Sequence, residues 1–570
     1  MAGSRVLALA LLLTTAAGCA SQPTQGTVPE RQPSNAPRTL VIASNTEVLS
    51  LLPKMLGPTN PTRTTRLFNA ALALTDPRGE PRPYLAEELP RLNTASWTLL
   101  PDGKMETTWR LRQALTWHDG EPLDAEDFAF GWRVYANPGL GTFVPKPQDR
   151  IEEVLAADAR TLVIRWRGTY ADAGSIVPGD LDPLPRHGML APFRSYAENP
   201  DTRDASLAHR YWSTEYIGVG PFRLTAWEPG SHLEGVAFEG HALGRARIDR
   251  VVVRFIADEN VVFTNILSGS VHYTLQQALR FEQAALLRQQ WAVNGQGIVL
   301  HIPTSTSTAA VQLRPDYLAT PALADIRVRR AVAHAIDRAG LLDGLFDGQG
   351  PIVATFVGQE EPFYAAVDRV LVKYSYDPRR AEAIMNEVGY RKDRDGFFAD
   401  ETGDRFQTSF WVTAGTQTER LMALITDTWQ RAGFDVRPRV IPAAEARDNQ
   451  ARSTFPGILN YGISPSTVAA VESLTRAQIG TAANRWGGQN RGGWANPDYN
   501  RVFDAFENAL DRGERIQRLA DLARIISEDL PTYPLFSNLG AITHLSVLKG
   551  PEVGTPDTLI HWNVHEWELR

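Results

Sequence analysis

The sequence predicts a mixed α/β protein built in at least two lobes. The chain has 570 residues, several times the usual domain size, so more than one folding unit is expected. Strand-like and helix-like segments alternate irregularly along it, and no internal repeat argues for a solenoid or propeller. Hydrophobic residues make up 43% and charged residues 22%, a globular balance that excludes a mostly disordered or fibrous chain.

The elements follow in order. Thr39 to Ala43 is a short apolar run and reads as a buried strand. Met105 to Leu111 reads as a strand, bracketed by the turn dipeptides Asp102-Gly103 and Asp119-Gly120. Asp124 to Tyr135 opens on a capping residue and places Phe128, Trp132 and Val134 along an amphipathic helix. Ile248 to Ile256 is β-branched and predicts a strand. Asp325 to Phe346 reads as one helix, with Val328, Val332, Ala335 and Ile336 on one face. Asp377-Pro378 supplies an N-cap and a first-turn proline, and Gly389 stops the helix they begin. Val502 to Leu510 and Ile516 to Leu530 form a late helical pair. Leu559 to Trp567 alternates like a strand.

The first residues address the chain. Arg5 precedes an apolar run, Val6 to Ala17, too short to span a bilayer as a helix but suited to a signal-peptide core. Ala16-Ala17-Gly18-Cys19 then resembles a bacterial lipobox, which implies cleavage after residue 18 and a lipid anchor on Cys19. It also accounts for the single cysteine in the chain, which precludes an intramolecular disulfide. Residues 19–38 are rich in Pro, Ser, Gln and Thr and read as a disordered tether. No later segment is apolar for long enough to cross a membrane as a helix. The expected location is extracytoplasmic, at the membrane face.

Motifs for catalysis are missing. There is no P-loop and no G-x-S-x-G elbow, and Gly218-x-Gly220 is followed by Pro221 without a third glycine in register. His561 and His565 would share a face in a strand, but no third ligand is nearby in sequence, so no metal site is expected. The net charge of −7 argues against nucleic-acid binding. The basic residues, 52 Arg against 6 Lys, read as coding bias and not as phosphate recognition. The chain is read as a non-enzyme without a cofactor.

Several segments resemble, in order, the family 5 extracellular solute-binding proteins of ABC importers. They are Glu47 to Pro53, Arg66 to Leu72, Pro83 to Glu87, Leu115 to Phe128, Gly218 to Phe222, Leu267 to Gly269, Asp325 to Arg338 and Tyr376 to Tyr390. The resemblance implies a two-lobed, Venus-flytrap α/β fold with an extra subdomain on the N-terminal side. By analogy, lobe one combines residues 39–66, 216–300 and 535–570, the extra subdomain is 67–215, and lobe two is 301–534. It implies a monomeric binding lipoprotein that captures peptides or peptide-like solutes and hands them to membrane permease subunits. A sensor or interaction lipoprotein of the same fold, or a binder of a metal chelate or oligosaccharide, is the alternative.

The resemblance also points to ligand-binding residues: Glu47 in the opening loop, and Asn460, Tyr461 and Gly462, where the family presents cleft residues. Arg485, Trp486 and Trp494 join them from a glycine-rich stretch in which the tryptophans could stack on a ligand. Two departures stand out. His272 replaces an aspartate usual in the family. Gly457 to Pro465 contains no acid where peptide-binding members carry an aspartate for the α-amine, so a ligand without a free amine is expected.

Overall fold

The computed structural model describes residues 37–570 except 49, 52–64, 138–145, 200–209, 443, 465 and 556–560. The expected signal peptide, Cys19, the expected tether up to residue 36 and the end of the opening loop at Leu52-Pro53 lie outside the described residues.

The first strand, Thr39–Ser44, sits inside a ten-stranded mixed sheet. Across the sheet the order is Asp435–Ile441, Gln407–Thr413, Ile458–Ile463, Gly297–Val311, Thr532–Leu545, Tyr273–Thr274, Thr39–Ser44, Arg250–Phe255, His232–Ala237 and Phe222–Glu228. Thr39–Ser44 runs parallel to both its neighbours, as Gln407–Thr413 does at the other end. Two long antiparallel strands join the halves. Gly297 to Ile302 pairs with Gly540 to Leu545, and Ser305 to Ala310 pairs with Asn538 to Thr532. The register shifts between Pro303 and Ser305, where proline has no N–H to give the ladder.

Strand alternation puts one core on each face of each half. In the first half, Leu40, Ile42, Val251 and Val253 join the largest core, while Ala43 packs with Val262, Ile266 and Trp291 on the other side. In the second half, Phe410 and Val412 face Trp429 and Val332, while Trp411 and Leu459 face Trp494 and Tyr499.

A second sheet, in the order Trp97–Leu99, Met105–Arg110, Thr161–Trp166, Ile151–Ala156, is covered by the helix Ala125–Tyr135. Asp124 caps that helix through the N–H groups of Glu126 and Asp127, and the Asp127 carboxylate accepts the Asp124 N–H in return. Asp119-Gly120 makes the turn, with Gly120 at φ 95°. His118 then ties this sheet to the first. Its Nδ1 accepts from the Gly218 N–H at 3.2 Å, and its Nε2 donates to the Gly220 carbonyl at 3.0 Å.

Gly220 is required by close approach: a Cβ there would lie 2.3 Å from the Phe68 carbonyl carbon. Gly220→Ala is expected to lower stability by about 3 kcal/mol. Gly188→Ala, with nothing near its Cβ position, should change stability by no more than about 1 kcal/mol. Thermal midpoints measured side by side check the contrast.

Three sequence expectations are corrected. Asp325 to Phe346 is two helices, Ile326–His334 and Arg338–Phe346. The break is made by Asp337, whose carboxylate caps the second helix at the Gly340 N–H, while the buried Arg338 guanidinium reaches the carbonyls of Pro534 and Tyr374. The late pair starts earlier, at Pro497–Asn508 and Arg512–Asp529, because Asn496 and Asp511 are the caps. The end of the chain is not one strand. Its described part is a turn, a single 3-10 turn at Val564–Glu566 and the two-residue strand Glu568–Leu569, with His561 buried against Tyr273 and Trp567. His272 finds its role in the sheet, where its Nδ1 accepts the Val41 N–H at 3.0 Å.

Candidate ligand-binding cleft

A cleft of about 480 Å³ opens where the two long strands shift register, a volume suited to a small solute or a short peptide. Thr304, Ser305, Ser307, Asn538 and Gly540 of those strands line it. Gly540 allows the strands to cross closely, since a Cβ would lie 2.4 Å from Thr304 Cγ2. One wall is the segment from Gln277 to Glu282, tied to the first strand's loop by Asn45 Nδ2 on the Gln277 carbonyl at 2.7 Å. The other wall combines the start of the helix Thr416–Ala432 with the strand Ile458–Ile463. The linings are polar and hydroxyl-rich, and Asn538 links them by donating to Ser305 Oγ and accepting from Gln417 Nε2.

Asn460, Tyr461 and Gly462 lie together on this cleft. The Asn460 amide donates to Ser307 Oγ and the Thr308 carbonyl, both at 3.0 Å, so it also fixes the strand pair. Gly462 brings the wall onto Ser305, 3.1 Å from where a Cβ would stand. The other residues named from the sequence lie apart from them. Glu47 accepts from Trp227 Nε1 at 3.3 Å and the Gly230 N–H at 2.9 Å, pinning the opening loop to a hairpin. Trp494 is buried in the second-half core, where its indole donates to Asp529 at 2.6 Å and its ring packs on Tyr499. Trp486 leans on Tyr317 and the Arg314 guanidinium, and Arg485 is exposed beside it. Arg485 and Trp486 have positive φ, 53° and 60° respectively, a conformation non-glycine residues rarely hold.

Arg314 shapes this loop. It donates to the carbonyls of Gly480 at 2.9 Å and Arg491 at 3.1 Å, and Gly493 lets it pass. Sequence reasoning missed Arg452, which lines the cleft, and Arg491 close by. Burial holds the Arg491 guanidinium down at about 10, with the Arg452 charge adding to it, and burial pushes the Tyr461 phenol up to about 12. In a chain with 52 arginines, nothing local marks these two.

Two half-sheets joined by crossing strands over a solute-sized cleft define the two-lobed periplasmic binding proteins, and the solved structures agree. A periplasmic oligopeptide-binding protein from Thermotoga maritima superposes with a TM-score of 0.76 at 18% identity, covering 94% of this chain and 99% of its own. NikZ from Campylobacter jejuni, solved with Ni(L-His), gives 0.73 at 19% identity, covering 94% and 100%. Residues 81–484 match the bacterial extracellular solute-binding proteins, family 5 middle region, and the chain belongs to that family. A Brucella ovis protein named for ABC-transporter peptide binding is 26% identical over 301 residues, 52% of this chain and 51% of that protein. The chain thus spans about half the length of that relative.

Proposed function

We propose that the protein is the substrate-binding lipoprotein of an ABC importer. It captures peptides or peptide-like solutes by hinge closure and delivers them to a membrane permease. The observation that carries this reading is the placement of the cleft on the two crossing strands: a bend there changes the angle between the halves and opens or shuts the cleft with little repacking of either core. In this reading lobe one is 39–66, 216–300 and 535–570, the extra subdomain is 67–215, lobe two is 301–534, and Cys19 carries the lipid. The family match and the peptide-binding relative support it.

Native mass spectrometry of the protein purified without denaturation tests it. A retained series of peptide masses is the expected result. Rebinding of N-acetylated peptides as tightly as free ones is also expected, because the strand Ile458–Ile463 carries no acid. Retention of a single non-peptide mass, with no peptide rebinding, would overturn the peptide assignment.

A further inference from the structure

A second cavity, of about 320 Å³, lies within the second half and shares no lining residue with the cleft. Much of its wall is apolar, from Ile352, Val353, Val372, Ile526, Leu530 and Pro534. Ile352 and Val372 remain 45% and 38% exposed, so apolar surface is left there for a ligand to cover. The wall is held in place beforehand. The Val372 N–H donates to Ser527 Oγ at 3.1 Å and the Tyr374 hydroxyl to the Ser527 carbonyl at 3.0 Å, which ties residues 372–374 to the last turn of the helix Arg512–Asp529. Ile352 bridges to Phe536 on the crossing strand.

One free charge meets this wall. Arg338 lines the cavity, with Nε on the Pro534 carbonyl at 2.9 Å and Nη1 on the Tyr374 carbonyl at 3.2 Å. Its Nη2 has no hydrogen-bond partner among the described residues, and no carboxylate there pairs with the guanidinium. Carbonyls orient a guanidinium but do not neutralise it. Burial holds it down at about 10, with only the Tyr533 phenol acting the other way. The single acid on the lining, Asp368, is already engaged: Lys373 pairs with it at 2.7 Å, and the Tyr364 hydroxyl donates to it at 3.1 Å. The cavity therefore presents one uncompensated positive charge beside apolar side chains. A desolvated cation without a counter-charge is unfavourable. An anion that brings its own apolar body relieves that and covers Ile352 and Val372 at once.

We infer that this cavity is a second ligand site, separate from the cleft, and that it takes small apolar carboxylic acids. The carboxylate sits on the free edge of Arg338, whose planar fork matches it. The hydrocarbon lies against Ile352, Val372 and Leu530. The volume, at the small end of ligand pockets, limits the acid to a short chain. The site is independent of what the cleft captures.

Calorimetric titration of the purified protein with hexanoate, hexanamide and hexylamine, alike in length and different in charge, tests it. Hexanoate is expected to bind at least tenfold more tightly than hexanamide, and hexylamine not at all. Val372→Trp, at an exposed position that the fold does not need, fills the cavity and should weaken hexanoate at least tenfold. Arg338→Gln removes the charge together with two carbonyl ties, so its folding is checked by circular dichroism; in the folded variant, acid and amide should bind alike. Equal affinity of the wild type for acid and amide would overturn the role of Arg338. Hexanoate binding that Val372→Trp leaves intact would place the ligand elsewhere and overturn the site, as would the absence of any hexanoate binding at millimolar concentration.

Discussion

Acidification from about pH 7 to about pH 5 is expected to remove about 5 kcal/mol from the folding free energy, through two buried histidines and one half-buried. Burial lowers His118 to about 4, His241 to about 3 and His565 to about 4. The hydrogen bonds explain why the rings stay neutral. His118 must accept at Nδ1 from Gly218 and donate at Nε2 to Gly220. His241 donates at Nδ1 to the Gly244 carbonyl and accepts at Nε2 from the Tyr84 hydroxyl, both at 2.7 Å. A second proton would break an acceptor contact in each. The Arg66 guanidinium near His241 and His565 opposes protonation further. Because these folded values lie below the unfolded value near 6.5, the unfolded chain binds more protons as pH falls. The contribution is complete above about pH 6.5 and is lost progressively toward pH 4, roughly 2 kcal/mol per histidine by pH 5. Asp127 and Asp149, raised by burial, offset a part of this. Denaturant midpoints measured across this range check it, and His118→Gln should flatten the slope by about a third. A flat profile would show that these rings are not neutral and buried in solution.

The histidines also show how much could be read from the chain beforehand. Local signals were legible: the Asp119-Gly120 turn, the Asp124 cap, the Asp377-Pro378 start and the Gly389 stop each depend on residues within one turn of each other. Signals that depend on distant partners were not. The type of Trp494 says that a large apolar area will be buried, but not that Asp529 and Tyr499 will bury it. Trp486 is set by Arg314, far away in sequence. The cleft residues Asn460, Tyr461 and Gly462 were named from a resemblance, and the strand carries them to the cleft wall together because it pairs with the crossing strand. Arg452 and Arg491 escaped notice because a missing counter-charge is a tertiary property. Absence of an acid from Gly457 to Pro465 was visible; the burial of Arg491 with Nε and Nη1 lacking a partner was not.

Glu507→Gln is expected to open the protein even with no ligand present, because Glu507 anchors an ionic seam between the 67–215 segment and the late helices. Glu507, on the helix Pro497–Asn508 and only 7% exposed, pairs with both Lys146 and Arg150. Lys146 also meets Glu472 at 3.2 Å. Farther along, Arg515 grips Asp172 with two hydrogen bonds of 2.7 and 2.8 Å, Arg512 meets Glu80 at 2.8 Å, and Thr169 donates to Asn508 at 2.8 Å. These contacts differ in weight. The Arg512–Glu80 pair is exposed on both sides and contributes about 0.5 kcal/mol, screened by salt. Glu507 is desolvated, so removing its charge takes from Arg150 its ion-pair partner and leaves Lys146 with Glu472, weakening the seam by about 3 kcal/mol. In the hinge-closing reading proposed above, the loss falls on the equilibrium between shut and open forms, because the seam joins the 67–215 segment to the late helices. A shift of about 3 kcal/mol is more than a hundredfold in that equilibrium. The single cysteine makes the measurement clean: in a Cys19→Ser background, spin labels at the exposed positions Asp102 and Arg501 report the separation across the seam. The wild type should give one narrow distance. Glu507→Gln should give a longer, broader distribution, with Glu80→Gln close to wild type and an increase in salt affecting the wild type little. An unchanged distance in Glu507→Gln would mean that packing, and not this ion pair, holds the halves together.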